Sequence, residues 1–250
     1  MDFLNKHLRQ KAKDHQDKRK KSHGDMFTAS DAGLCVGKSW HRREGTEQKL
    51  PEDKALIMMK LGDLIHNIIQ DAAWGRDPGD AMIEFFMKDE KLKVCGSLDL
   101  YLNSEKHLID IKTVHSYKYS LMFGRNKDKN PSEHHEMQLG TYGMMLEDAG
   151  HAVERISILY VNRNDGRMQE KNVNLNYIQH AQDYWETINL EMEYGPEGYD
   201  DHFMLPVYDW ECKYCSFADN CKWRKEDNAK KQSTMGITER RKQKPKRIKT

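Results

Sequence analysis

Two short runs of alternation meet at a four-residue turn, and few folds accept both their pattern and their charges. In residues 91–102, Leu92, Val94, Leu98, Leu100 and Leu102 share one face, while Cys95, Ser97, Asp99 and Tyr101 share the other. Asn103-Ser104-Glu105-Lys106 reads as a hairpin turn. Residues 107–113 form the next strand, with Leu108, Asp110 and Lys112 on one face and Ile109 and Ile111 on the opposite one. Asp is disfavoured in strands, yet Asp110 lies inside an apolar run. Paired antiparallel, these strands bring Asp99 and Asp110 to one edge of the sheet, with Lys112 two residues on. Such carboxylates offer the oxygen ligands that Mg²⁺ takes. An ion held there polarises a phosphate and generates a hydroxide nucleophile, with Lys112 orienting that water or offsetting charge on the phosphate. On a merely solvated strand face the same three residues would carry no chemistry.

The flanking pattern predicts the rest of the domain. Pro51 opens a helix running to about Trp74, with Leu56, Ile57, Leu61, Leu64, Ile65, Ile68 and Ile69 at helical spacing and His66 on the border of that stripe. A strand follows over residues 81–87. Residues 114–130 read as a basic, irregular loop containing Arg125, Lys127 and Lys129. Asn130-Pro131 begins a second helix that stops at Gly150. Strands over 154–162 and 167–173 are joined by the turn Asn164-Asp165-Gly166, and a third helix over 175–194 ends at Gly195-Pro196. Gly140 and Gly143 each cost the second helix roughly 1 kcal/mol, which is explained if another backbone or a nucleic-acid strand comes close. This order implies one α/β domain around a mixed sheet, spanning residues 25–223.

Charge is distributed unevenly. The formal net charge of +1 conceals a basic arm over residues 1–24, a basic tail at the C-terminal end and an acidic body between them. The arm (1–24) and tail (224–250) read as flexible, and their charge fits either an anionic partner such as nucleic acid or plain solvation. With 37% hydrophobic and 32% charged residues, no apolar run approaches the roughly 20 residues needed to cross a bilayer. The first residues lack the apolar stretch of a signal peptide, so a cytoplasmic location is expected.

Cysteines supply the last constraint. Cys212, Cys215 and Cys221 form C-x2-C-x5-C, and Cys35 lies far upstream. In a reducing compartment such a set points to a metal rather than to disulfides. Four thiolates fit a structural Zn²⁺ or a [4Fe–4S] cluster equally by spacing. Trp210, Tyr214, Phe217 and Trp223 are expected to provide an apolar shell, and the fifth cysteine, Cys95, to be a small buried thiol. His134-His135 shows no ligand spacing.

Asp99…Asp110-Ile111-Lys112 resembles the motif of the PD-(D/E)XK nucleases, whose αβββαβ core matches the inferred element order. Leu61-Gly62-Asp63-Leu64-Ile65-His66 is similar to the first-helix motif of the RecB-like branch, and Gln138-Leu139-Gly140-Thr141-Tyr142 to its Q-x3-Y motif. The four cysteines resemble the iron–sulfur staple of the AddB nuclease domain and of CRISPR-associated RecB-like exonucleases. The resemblance spans about residues 28–223. It implies a restriction-endonuclease-like fold with an iron–sulfur staple joining the N- and C-terminal segments. It further implies that His66, Asp99, Asp110 and the Ile111 carbonyl hold Mg²⁺ or Mn²⁺ and that Lys112 is catalytic. Gln138 and Tyr142 would position DNA or the lysine, or pair with each other. Cys35, Cys212, Cys215 and Cys221 would bind [4Fe–4S] in preference to zinc. Two departures stand out: the second acid is Asp where many members have Glu, and Val36 replaces a proline common after the first cysteine.

The implied activity is a metal-dependent DNA exonuclease working on single-stranded or free ends. Its setting would be recombination, repair, phage DNA metabolism or CRISPR adaptation, near the nucleoid or in an infected bacterial cell. Helicase, recombination or adaptation proteins would be its partners, since the chain has no G-x4-G-K-[ST] motor motif. The alternative is a DNA-binding or assembly subunit that keeps the fold and cluster for structure.

Overall fold

The computed structural model describes residues 2–124, 132–193 and 204–224. The chain forms two compact units, Met1–Leu56 with Asp89–Cys95 and Asp183–Thr250, and Ile57–Lys88 with Gly96–Gln182. The basic residues Arg125, Lys127 and Lys129, the Gly195-Pro196 stop and residues 225–250 of the tail lie outside the described residues. No described helix is long and apolar enough to cross a membrane.

The first unit opens on helix α1 (Asp2–His23), where a flexible arm was expected. None of its residues is buried, so no apolar periodicity could announce it. It is built from Lys, Arg, Gln and Ala, which are strong helix formers. Lys6–Asp2 (2.8 Å) and Gln10–Asp14 (2.8 Å) support it at i,i+4 spacing. Arg9 forks onto Asp53 at 2.6 and 2.9 Å. Two further elements lacked a sequence signal, the two-residue strand β1 (Phe27–Thr28) and helix α2 (Val36–Arg43). Strand β1 runs parallel to the start of β3 (Val94–Leu102), with Phe27 opposite Val94 and Thr28 opposite Cys95. Between β1 and α2, buried Asp31 pairs with Lys38 (3.1 Å) and Arg42. Burial alone would raise its carboxyl, but the two cations hold it well below the usual carboxylate range.

The second unit is a mixed sheet with helices, as the alternation predicts. Helix α3 (Asp53–Arg76) leads into β2 (Ala81–Asp89), which pairs with β3. Strand β3 pairs antiparallel with β4 (His107–Val114), in the register Leu100–Ile109, Tyr101–Leu108 and Leu102–His107. β4 then runs parallel to β5 (Arg155–Asn162) along its whole length, from His107–Arg155 to Val114–Asn162. A parallel pair needs a crossover. Helices α4 (Ser116–Phe123) and α5 (Glu133–Asp148) provide it, so the first part of the expected basic loop is in fact helical. Strand β6 (Met168–Val173) pairs antiparallel with β5, and α6 (Asn176–Glu193) follows.

Helix α5 is buried over most of its length. A Cβ added at Gly140 would stand 2.2 Å from the Tyr177 carbonyl oxygen, and one at Gly143 would meet Ile178 at 2.9 Å. These two glycines therefore admit the protein's own chain.

Helix α3 follows its expected apolar stripe in part. Leu56 is buried and Ile65 and Ile69 half-buried, but Ile57, Leu61, Leu64 and Ile68 are exposed, and the line Gly62, His66, Gln70, Ala73 contacts the sheet. Gly62 approaches Thr113 of β4, Gln70 reaches β2 and β3, and Ala73 packs with Ala81, Ile83, Leu100, Leu102 and Ile109. His66, on the border of the apolar stripe in sequence, thus belongs to the sheet-facing line.

Candidate active site

The β3–β4 register sets up the site. One residue beyond the last ladder pair, Asp99 and Asp110 come together where the β3–β4 ladder ends. The Asp99 Oδ2 atom accepts the Ile111 amide N–H at 2.7 Å, which leaves Oδ1 facing helix α3, 3.7 Å from His66 Nδ1. Asp110 is 1% exposed. Lys112 Nζ donates to its Oδ1 at 2.8 Å and lies equally close to Oδ2, so among the described residues one ammonium meets both oxygens.

Glu84 of β2 is the member that sequence reasoning missed. One of its oxygens lies within 4.8 Å of ligating atoms of both His66 and Asp99. Gln70 donates to Glu84 Oε1 (2.8 Å) and to the Asp99 carbonyl oxygen (3.0 Å), tying β2 and β3 to the helix. Both residues had a faint signal: Glu84 is an acid inside an apolar strand, and Gln70 lies four residues after His66. Glu84 has φ 47°, a left-handed conformation that costs a side-chain-bearing residue about 1–2 kcal/mol. Such strain collects at functional sites.

Electrostatics agree with a cation site. Burial, and then the Asp110 charge, push the Asp99 carboxyl up to about 7. Burial and then the Lys112 charge lower His66, which keeps its imidazole neutral and able to ligate. Burial works against the Lys112 ammonium, but Asp110 and Asp99 outweigh it and hold the lysine above its ordinary value. Lys118, half-buried on α4, is lowered by burial and by Lys112.

The structure thus brings together His66, Asp99, Asp110 and Lys112. Gln138 and Tyr142 lie one turn apart on α5, Gln138 partly exposed and Tyr142 buried, and among the described residues no hydrogen bond joins Gln138 to the carboxylates. His135, one of the unassigned pair, lies 3.1 Å from the Tyr160 hydroxyl.

The first unit holds the cysteines. Cys35, Cys212, Cys215 and Cys221 line one cavity, together with Lys38 and Glu211. Glu211 opens the short helix α7 (Glu211–Tyr214), one residue before its cysteine. Its Oε2 accepts the Cys35 N–H at 2.7 Å, and its Oε1 accepts those of Val207 (2.7 Å) and Tyr208 (2.8 Å). Burial, followed by the charges of Glu211, Cys221 and Cys215, pushes the Cys35 thiol well up. Cys212 and Cys221 are also raised, by burial first. Four thiols lining one cavity, three of them raised, suit a bound cationic group, which would favour their thiolate forms. The expected aromatic shell is half formed. Phe217 and Trp223 are buried, whereas Trp210 and Tyr214 are exposed. His41, absent from that expectation, stacks on Phe217 with centroids 5.6 Å apart. Cys95 is fully buried away from this set, its Sγ 3.5 Å from the Phe27 carbonyl oxygen.

Comparison with known proteins gives the family. No curated protein matches the chain. The crystal structure of SSO0001 is 21% identical, with a TM-score of 0.53 over 83% of this chain and 93% of that one. An alkaline exonuclease from Laribacter hongkongensis, LHK-Exo, is 13% identical over 72% of this chain and 94% of its own, with a TM-score of 0.48. Its complex with dAMP gives a TM-score of 0.49 at the same identity and coverage. The family model of the PD-(D/E)XK nuclease superfamily matches residues 76–222, a stretch that holds Glu84, Asp99, Asp110, Lys112 and three of the clustered cysteines. The chain belongs to the PD-(D/E)XK nuclease superfamily.

Proposed function

We propose that this nuclease is a divalent-metal-dependent DNA exonuclease of the RecB-like type, acting on single-stranded ends and carrying a [4Fe–4S] staple. The observation that carries the metal-dependent reading is the grouping of ligand atoms of His66, Glu84 and Asp99 within 4.8 Å of one another, with Asp110 and Lys112 beside them. The exonuclease and iron–sulfur parts rest on the RecB-like motif set and on four thiols lining one cavity.

His66, Asp99, Asp110 and the Ile111 carbonyl would hold Mg²⁺ or Mn²⁺, with Glu84 as a further oxygen donor. Such an ion polarises the phosphate and lowers the pKa of a bound water. The protein's own residues do the rest. The Ile111 amide fixes Asp99 so that one oxygen faces the site. Gln70 orients Glu84. Lys112 stays charged beside Asp110 and stabilises the negative charge that develops on the phosphate during attack. In the other unit, Cys35, Cys212, Cys215 and Cys221 would hold the cluster and tie residue 35 to residues 212–221, closing a long loop of chain.

The test is digestion of end-labelled linear and circular DNA by protein purified without oxygen. Linear single strands should be degraded with Mg²⁺ or Mn²⁺ and circles spared, and Asp110→Asn should abolish the reaction. Full activity in Asp110→Asn would overturn the site; digestion of circles would overturn the exonuclease assignment. The same preparation should absorb broadly near 400 nm, and colourless protein holding one zinc would replace the cluster.

A further inference from the structure

Strand β2 changes phase at its strained residue. Ile83 packs in the apolar cluster with Ala73 of helix α3, and the next residue, Glu84, accepts its hydrogen bond from Gln70 of the same helix. Two consecutive residues therefore face α3, where a regular strand would send one each way. The positive φ of Glu84 produces this shift. Phe85 is exposed as well, and from Phe86 on exposure alternates: Phe86 exposed, Met87 buried, Lys88 exposed, with Lys88 Nζ over the Phe86 ring 6.0 Å from its centre, the relation of i,i+2 neighbours on one face. Glu84, Phe86 and Lys88 thus form a row on one face, in the order carboxylate, aromatic ring, ammonium.

The row stands on an edge. Among the described strands β2 pairs only with β3, and Phe86 is 38% exposed. An exposed aromatic ring on a sheet edge is a liability that proteins usually avoid. Here it follows the carboxylate that stands with His66 and Asp99. A ring beside a phosphate-cleaving site, with a cation next along the strand, has the two features that hold unpaired nucleic acid: a stacking platform and a phosphate contact.

We propose that Phe86 and Lys88 form a nucleotide subsite beside the metal-binding carboxylates, the ring stacking on an unpaired base and the ammonium meeting the adjoining phosphate. This rests on the nuclease reading above and gives it a physical selection for single strands. A base can lie on Phe86 only after it leaves its partner strand. Since every base offers a π-face, the subsite is indifferent to sequence.

The experiment is fluorescence anisotropy of the full chain carrying Asp110→Asn, with a labelled single-stranded oligonucleotide and Mg²⁺. Adding Phe86→Ala should weaken binding roughly 5- to 150-fold, the equivalent of about 1–3 kcal/mol per stacked base. Phe86→Trp should restore it, which separates stacking from a folding defect. Phe85→Ala, on the opposite strand face, should bind like the parent. An oligonucleotide with abasic terminal nucleotides should bind the parent and Phe86→Ala equally. Unchanged binding in Phe86→Ala, no rescue by Trp, or an equal loss on the abasic probe would each overturn the subsite alone. Digestion of the probe by the Asp110→Asn protein would overturn the active-site reading, and the subsite with it.

Discussion

Each unit contains a buried carboxylate, and the two are satisfied in opposite ways. Both oxygens of Glu211 accept backbone N–H groups, from Cys35, Val207 and Tyr208. Among the described residues Asp110, 1% exposed, meets Lys112, whose ammonium lies 2.8 Å from each of its oxygens. Burial raises the Glu211 carboxyl while the three amides work against it. A saturated carboxylate holds chain segments together. One held by a single ammonium, beside a second acid and an imidazole, leaves the backbone untied and fits the metal-site role proposed for it.

Removing each carboxylate should separate these roles, and the larger stability change belongs to Glu211. Glu211→Ala leaves three N–H groups around the cysteine cavity without their acceptor. At about 1–3 kcal/mol for each buried, unsatisfied group, it should cost several kcal/mol in urea unfolding of the full chain. Asp110→Asn keeps shape and removes charge, so its midpoint should move far less while cleavage is lost. If Asp110→Asn unfolds earlier than Glu211→Ala, the contrast between clasp and ligand is broken.

The intermediate effect tests the α3 side of the site. His66 is half-buried, 3.7 Å from Asp99, and held neutral by burial and by Lys112. His66→Ala should leave unfolding nearly unchanged and raise the Mg²⁺ concentration for half-maximal cleavage by about 10-fold or more. A metal titration that overlays the parent would make His66 a packing residue and leave the carboxylates to act alone.

These residues also show what was readable in the sequence. Asp99, Asp110 and Lys112 were legible because period-two alternation fixes both the strands and the faces, and β3 and β4 pair as that pattern requires. His66 was visible only through the first-helix motif, since the apolar stripe beside it faces outward at Leu61, Leu64 and Ile68. Glu84 was hidden because a backbone phase shift, set by one residue's φ, leaves no mark in hydropathy. Helix α1 was hidden for a related reason: a helix with no buried face is written in propensity and i,i+4 charge pairs alone. Glu211 sat one residue from a predicted ligand, yet its three partners are backbone amides, which a sequence cannot display.

The smallest effect concerns the two thiols of the first unit that differ most in surroundings. Cys35 lines the cavity with three other cysteines, and its thiol is pushed up by burial and by the charges around it. Cys95 is fully buried in β3 opposite Thr28, its Sγ 3.5 Å from the Phe27 carbonyl oxygen. Cys95→Ala therefore removes one sulfur from a packed strand, and the expected cost is about 1 kcal/mol in urea unfolding. Its absorbance near 400 nm and its iron content should match the parent, because no cavity ligand is touched. Cys35→Ala, by contrast, should lose the colour, since the proposed cluster would be left with three thiolates. Loss of iron in Cys95→Ala would mean that β3 supports the cavity more closely than its hydrogen bonds suggest. Retention of iron in Cys35→Ala would assign the fourth ligand to another group.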